Sequence, residues 1–200
     1  MIPRIETRTR VLLVIHRFED RKSTNTGRLA THCLTNSEVV VRGDANAPGD
    51  AVDFPPGSEP VLLFPHEDAV PLRDFAASKR PVALVVPDGN WRQASKVRKR
   101  VPGLDALPCA MLEPGASSLY RLREETHPRG LATMEAIARA LGVLEGEAVQ
   151  RELERLFLVM VERTLWSRGE LGRAEVTTGL PDGAVRHDPE SGHSAGRMLP

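Results

Sequence analysis

Two hundred residues, 40% hydrophobic and 27% charged, suit one soluble domain, or one domain with a tail, able to bury a sizeable core. No apolar run approaches the ~20 residues of a membrane helix, and the amino-terminal MIPRIETRTR lacks a signal-peptide apolar region. Cys33 and Cys109 form neither a disulfide framework nor a close metal-ligand pair, so a cytoplasmic protein is expected. The net charge of zero excludes a surface coated in positive charge, although the charge is unevenly spread.

Arg10–Ile15 (RVLLVI) reads as a first strand, apolar throughout as in a sheet covered on both faces. It leads through His16-Arg17-Phe18-Glu19 into residues 23–27 (STNTG), dense in hydroxyls and amides where a helix starts. Those residues serve as caps, or their backbone amides hold a phosphate or carboxylate. Arg28 just inside that helix works against the macrodipole, which suggests that it is there for another reason. Glu38–Val41 is a second strand, residues 43–60 a Gly/Pro/Asp-rich loop, and Val61–Phe64 a third strand. After Pro65-His66, Glu67 and Asp68 read as the acidic start of a helix, and Val70–Ser78 as a short helix.

Residues 82–100 (VALVVPDGNWRQASKVRKR) organise the chain. Val82–Val86 is a buried strand whose ladder Pro87 is expected to end. Gly89 permits a tight turn, and a polar helix begins near Trp91. Asp88 thus sits past the carboxyl end of a strand and before a helix, where ligands bind in open α/β sheets. Helix capping by Asp88 or Asn90 explains the same pattern. Arg92, Lys96, Arg98, Lys99 and Arg100 follow within nine residues with no acid among them, a solvated helix face or a patch for phosphates.

Ala106–Leu112 is a fifth strand with Cys109 buried in it. A loop at 114–118 leads to Tyr120-Arg121-Leu122-Arg123, whose two arginines share one side if extended. They suit phosphate or carboxylate recognition, or pair with Glu124 or Glu125 on the surface. Thr133 caps or opens a helix running through Leu141, with Glu135 in its first turn. A longer helix spans about 147–167, its apolar positions spaced for core packing. Residues 174–200 read as a mobile tail in which His187 and His193 make no metal site, leaving 1–173 as the domain. The pattern is α/β, a mainly parallel sheet with flanking helices.

Four stretches in order carry a resemblance: His16-Arg17-Phe18-Glu19 with Thr24-Asn25-Thr26-Gly27-Arg28-Leu29; Asp88-Gly89-Asn90-Trp91 with Ala94 and Lys96; Tyr120-Arg121-Leu122-Arg123; and Leu131-Ala132-Thr133-Met134-Glu135-Ala136. Together they resemble the DTW-domain family of tRNA-uridine aminocarboxypropyltransferases. The resemblance implies a SPOUT-like fold whose carboxyl-terminal part can be knotted, and S-adenosylmethionine as co-substrate. It implies transfer of the 3-amino-3-carboxypropyl group to N3 of a tRNA uridine, releasing 5′-methylthioadenosine. Asp88, Asn90 and Trp91 become the catalytic candidates, with Asp88 as general base. Thr24, Asn25, Thr26, Gly27, Arg28, Pro65, Tyr120, Arg121, Leu122, Arg123, Thr133 and Glu135 become candidates for binding the donor. Arg92, Lys96, Arg98, Lys99 and Arg100 become candidates for tRNA. Asn90 stands where the family signature has threonine. The cysteine cluster of many members has no counterpart, so no metal is expected. A SPOUT-like RNA methyltransferase and a non-catalytic RNA-binding relative are the alternatives.

Overall fold

Val11 to Ile15, the middle of strand β1 (Arg10–His16), are each at most 1% exposed, so β1 must be covered on both faces and flanked on both edges. The structure, a computed structural model, describes residues 2–22, 25–43, 51–122 and 130–186. After β1 come the one-turn helix α1 (Arg17–Asp20), α2 (Thr26–Cys33) and β2 (Ser37–Arg42). Strands β3 (Glu59–Leu63), β4 (Val70–Pro71), β5 (Val82–Asp88) and β6 (Cys109–Met111) complete a sheet of order β2-β1-β5-β3-β6-β4. Every strand pair in it is parallel.

Alternation along the strands divides the core in two. Val11, Leu13, Ile15, Leu84 and Val86 meet Met134, Ile137 and Leu141 of α5 (Thr133–Glu145) and Leu153, Phe157 and Val161 of α6 (Glu147–Ser167). Leu12, Val14, Ala83 and Val85 meet Val52, Val101, Leu104, Leu107 and Cys109 on the other face. Each fully buried Leu, Ile, Met or Phe contributes about 1.5–3 kcal/mol of transfer free energy, enough to fix α5 against the sheet. Among the described residues no helix is long and apolar enough to cross a membrane.

The order of the strands creates one switch point. From β1 the chain moves outward to β2, and from β5 it moves the opposite way to β6. The two strands lie side by side with Ile15 opposite Asp88, so the crevice above their carboxyl ends opens at Asp88.

Several local expectations are corrected. Pro87 does not end the β5 ladder: Val14 and Ile15 of β1 pair with Pro87 and Asp88. Pairing on the β3 side stops at Leu62 with Val85, so no ladder bond is lost there to the missing N–H. Glu67 and Asp68 lie in a turn, and Val70–Ser78 is not a helix. Val70 and Pro71 form the edge strand β4 beside β6, and Leu72–Phe75 is a 3₁₀ turn. The polar helix after Asp88 is broken into α3 (Trp91–Ala94) and α4 (Val97–Arg100).

The flexible tail expected from residue 174 is packed as far as residue 186. Val176 is buried, Arg163 Nε donates to the Gly179 carbonyl at 3.1 Å, and Arg173 reaches the Ala184 carbonyl at 3.1 Å. The rest of that segment, with His187 and His193, lies outside the described residues.

Candidate active site at the switch point

Asp88 ends β5 with only 8% of its surface exposed, and side chains from two helix starts hold its two oxygens. Asn25 Nδ2 donates to Oδ2 at 2.6 Å, and Thr133 Oγ1 donates to Oδ1 at 2.5 Å. Asn25 is also the N-cap of α2, its Oδ1 accepting from the Arg28 amide at 2.8 Å. Thr133 is the first residue of α5. The positive ends of both helices therefore face one carboxylate. The buried Thr26 hydroxyl joins them further, accepting from the Met134 amide at 3.4 Å.

Gly27 makes this approach possible. A Cβ there would stand 2.8 Å from Leu13 Cδ1 and 2.9 Å from Asp88 Oδ2. Only a residue without a side chain lets α2 rest on β1 with the carboxylate alongside.

Glu135, one turn into α5 and 4% exposed, ties the next loop to the same helix start. It accepts from Ser118 Oγ at 2.5 Å, from the Leu119 amide at 2.7 Å and from the Ala132 amide at 2.9 Å. This sets where Tyr120 and Arg121 follow. The Tyr120 ring packs on Phe157 of α6 with centroids 5.8 Å apart, and Leu122 packs on the same core. Arg121 and Leu122 form a turn rather than an extended piece. Thr24 and Arg123 lie outside the described residues.

On the β3 side, Asn90 caps α3. Its Oδ1 accepts from the Gln93 amide at 3.0 Å, and its own amide donates to Gln93 Oε1 at 2.9 Å, a reciprocal capping box. Trp91 is 36% exposed and tilts 57° against Phe64, the residue before Pro65, at 5.7 Å. The basic stretch has an acidic partner after all. Arg98 binds Asp68 at 2.8 Å, and that hydrogen bond holds the Asp68 carboxyl below its ordinary value. Asp68 also meets His66 Nδ1 at 2.6 Å. Arg92, Lys99 and Arg100 remain exposed, and Lys96 is half-buried. Among the described residues no group of three or more His, Cys, Asp or Glu is placed to hold a metal.

The reason for Arg28 lies at the end of α1. Its guanidinium grips Asp20 Oδ1 through two nitrogens, at 2.5 and 2.6 Å. With Asn25, Lys22, Leu29 and His32 the pair lines a surface pocket of about 400 Å³.

A family model described as the DTW domain matches residues 1–165. The chain belongs to the DTW-domain family. This DTW chain is 28% identical over 149 residues to tRNA-uridine aminocarboxypropyltransferase 2 of Drosophila melanogaster, covering 72% of this chain and 59% of the relative. It is 29% identical over 191 residues to tRNA-uridine aminocarboxypropyltransferase A of Arabidopsis thaliana, covering 78% and 71%. The DTW chain therefore spans less than two thirds of the fruit-fly relative. Among solved structures it is similar to the SAM-dependent rRNA:acp-transferase Tsr3 from Vulcanisaeta distributa, with a TM-score of 0.49 and 18% identity over 90% of this chain and 86% of that one.

The relationships that escaped sequence reading include Ser118 on Glu135, Asp68 on Arg98, and both Thr133 and Asn25 on Asp88. Each joins side chains 17 to 63 residues apart. The one local signal was Asn25 three residues before Arg28, the spacing of an N-cap.

Proposed function

We infer that this DTW chain transfers the 3-amino-3-carboxypropyl group of S-adenosylmethionine to N3 of a tRNA uridine and releases 5′-methylthioadenosine, acting in the cytoplasm. The observation that carries this reading is the placement of Asp88. It stands at the switch point of a parallel sheet, held by Asn25 and Thr133, in a family whose named relatives are tRNA-uridine aminocarboxypropyltransferases.

In the reaction, the uridine N3–H proton passes to the Asp88 carboxylate, and N3 forms a bond to the donor's γ-carbon. The bond from that carbon to the sulfonium breaks, and its electron pair neutralises the sulfur of the departing methylthioadenosine. The leaving group is already activated, so alignment of N3 with the carbon–sulfur bond supplies much of the rate. Asn25 and Thr133 fix the direction of the base. Thr26, Gly27 and Arg28, at the start of α2, meet the donor's carboxylate. Pro65, Tyr120, Arg121 and Leu122 shape the walls around the donor, and Trp91 offers an aromatic face to a base. Asn90 acts by orienting the Trp91 turn.

The test is incubation of the protein with S-adenosylmethionine and unmodified tRNA, with mass spectrometry of nucleosides and spent donor. A uridine carrying one aminocarboxypropyl group, together with methylthioadenosine, is expected. Asp88→Asn should lower the rate by about 100-fold or more with the fold retained. A methylated nucleoside with S-adenosylhomocysteine would replace the reading by methyl transfer. Full activity in Asp88→Asn would remove the base.

A further inference from the structure

We propose that the pocket between α1 and α2 seats the amino-acid end of S-adenosylmethionine, with Arg28 taking its carboxylate and Asp20 its ammonium. This rests on the transferase reading above and gives the same site a subsite that selects the donor by both of its charges.

The pocket, about 400 Å³, falls in the size range of small-molecule sites. Asp20, the last residue of α1, stands on one side, and Asn25, Arg28, Leu29 and His32 stand on the other. Those four recur at the spacing of one helical face. The Asp20–Arg28 pair uses only part of what its side chains offer. Nε and Nη2 of Arg28 both meet Oδ1 of Asp20, at 2.6 and 2.5 Å. Among the described residues, Asp20 Oδ2 and Arg28 Nη1 take part in no hydrogen bond. Lys22, at the rim, is engaged by Glu19 at 2.6 Å, and His32 lies at the end of α2 away from Asn25. Arg28 is therefore the cation that the pocket offers beside Asp20.

Stability does not account for the pair. Its side chains remain 36% and 23% exposed, and an ion pair so placed contributes at most about 1 kcal/mol. Arg28, the third residue of α2, also opposes the helix macrodipole. What the pair does provide is one negative and one positive head side by side in a fixed geometry. S-adenosylmethionine carries the complementary arrangement on a single carbon, a carboxylate and an ammonium at the end of a short methylene stem. Set against the pair, its carboxylate meets the Arg28 fork and its ammonium meets Asp20, so that the four charges alternate. Leu29 offers an apolar wall to the methylenes.

Asn25 connects the pocket to the reaction. It lines the pocket, and its Nδ2 donates to Asp88 Oδ2 at 2.6 Å. The carbon that N3 attacks lies at the other end of the same methylene stem. An amino-acid end fixed at Asp20 and Arg28 therefore brings that carbon to the Asn25 side of the pocket, beside the base. Interactions with charges that do not react then align the carbon that does.

The experiment is calorimetry of wild type, Asp20→Asn and Arg28→Gln with S-adenosylmethionine, its decarboxylated form, and the analogue with a hydroxyl in place of the amino group. Thermal unfolding reports on the fold of each protein. Wild type should bind S-adenosylmethionine about tenfold or more tighter than either analogue, the worth of a charge-assisted hydrogen bond. Arg28→Gln should lose the preference for the carboxylate and Asp20→Asn the preference for the amino group, each retaining the other preference. A side chain that only braces the fold would weaken all three ligands alike, and that pattern would overturn the proposal. Equal binding of the three ligands by wild type would overturn it without any variant, and aminocarboxypropyl transfer to tRNA by that protein would leave the transferase reading standing. If wild type binds no S-adenosylmethionine, both readings fall together.

Discussion

The Thr133 hydroxyl donates to Asp88 Oδ1 across 45 residues of chain, and this one contact joins the end of β5 to the start of α5. Removing the hydroxyl takes one donor from a buried carboxylate, at a cost of about 1–3 kcal/mol. Thr133→Val keeps the shape and should lower the denaturation midpoint and slow group transfer together. Thr133→Ser should restore both. Urea titration beside the transfer assay checks this, and equal midpoints for Val and Thr would refute it.

Gly27→Ala is the smallest change that should disturb the site. The new methyl would press at once on Leu13, which is fully buried, and on Asp88 Oδ2, which Asn25 holds. We expect a loss of about 1–3 kcal/mol from overpacking and weaker binding of S-adenosylmethionine. Chemical denaturation and calorimetry read the two effects separately.

Asn90 differs from the family's threonine yet performs a task that both residue types perform well. Asn90→Thr should change stability by no more than about 0.5 kcal/mol and leave transfer near wild type. Asn90→Ala loses the cap on α3 and should cost about 0.5–2 kcal/mol. Thermal unfolding of both variants decides whether the asparagine is a cap or has a separate task.

Glu162 predicts an acid response for the carboxyl-terminal segment. Burial pushes its carboxyl up, but hydrogen bonds from Thr177 and Thr178 outweigh this and hold it below the ordinary value. A lowered folded value means that the contribution to stability is complete above about pH 4.3 and is lost as pH falls through the folded value. Proteolysis around residues 173–186 should therefore speed up below that pH. Glu162→Gln should be susceptible already at neutral pH and respond less to acid.

What could be read in the sequence depended on how local its cause is. The β1 and β5 runs were legible because burial on both faces demands apolar residues at every position from Val11 to Ile15 and Val82 to Val86. Asp88 was legible as a residue at the carboxyl end of a strand and before a helix, although it lies in the strand and not past it. Its two donors were not, because Asn25 and Thr133 meet only through the strand order. Pro87 misled because its tolerance depends on where β3 stops. Val70-Pro71 gave no strand signal, since two residues become a strand only through pairing with β6. The packing of residues 174–186 was hidden for a similar reason: Thr177 and Thr178 read as loop until Glu162 supplies an acceptor.

The order in which the chain is made has a consequence for when it becomes competent. All six strands have been synthesised by Met111, yet Asp88 then lacks the hydroxyl of Thr133, and the loop at Ser118 lacks the carboxylate of Glu135. A nascent chain halted before residue 130 could form the sheet's hydrogen bonds but would present an unfinished crevice. On the function proposed above, ligand affinity is then among the last properties acquired during synthesis, and truncated chains would not compete with the finished protein for its substrate.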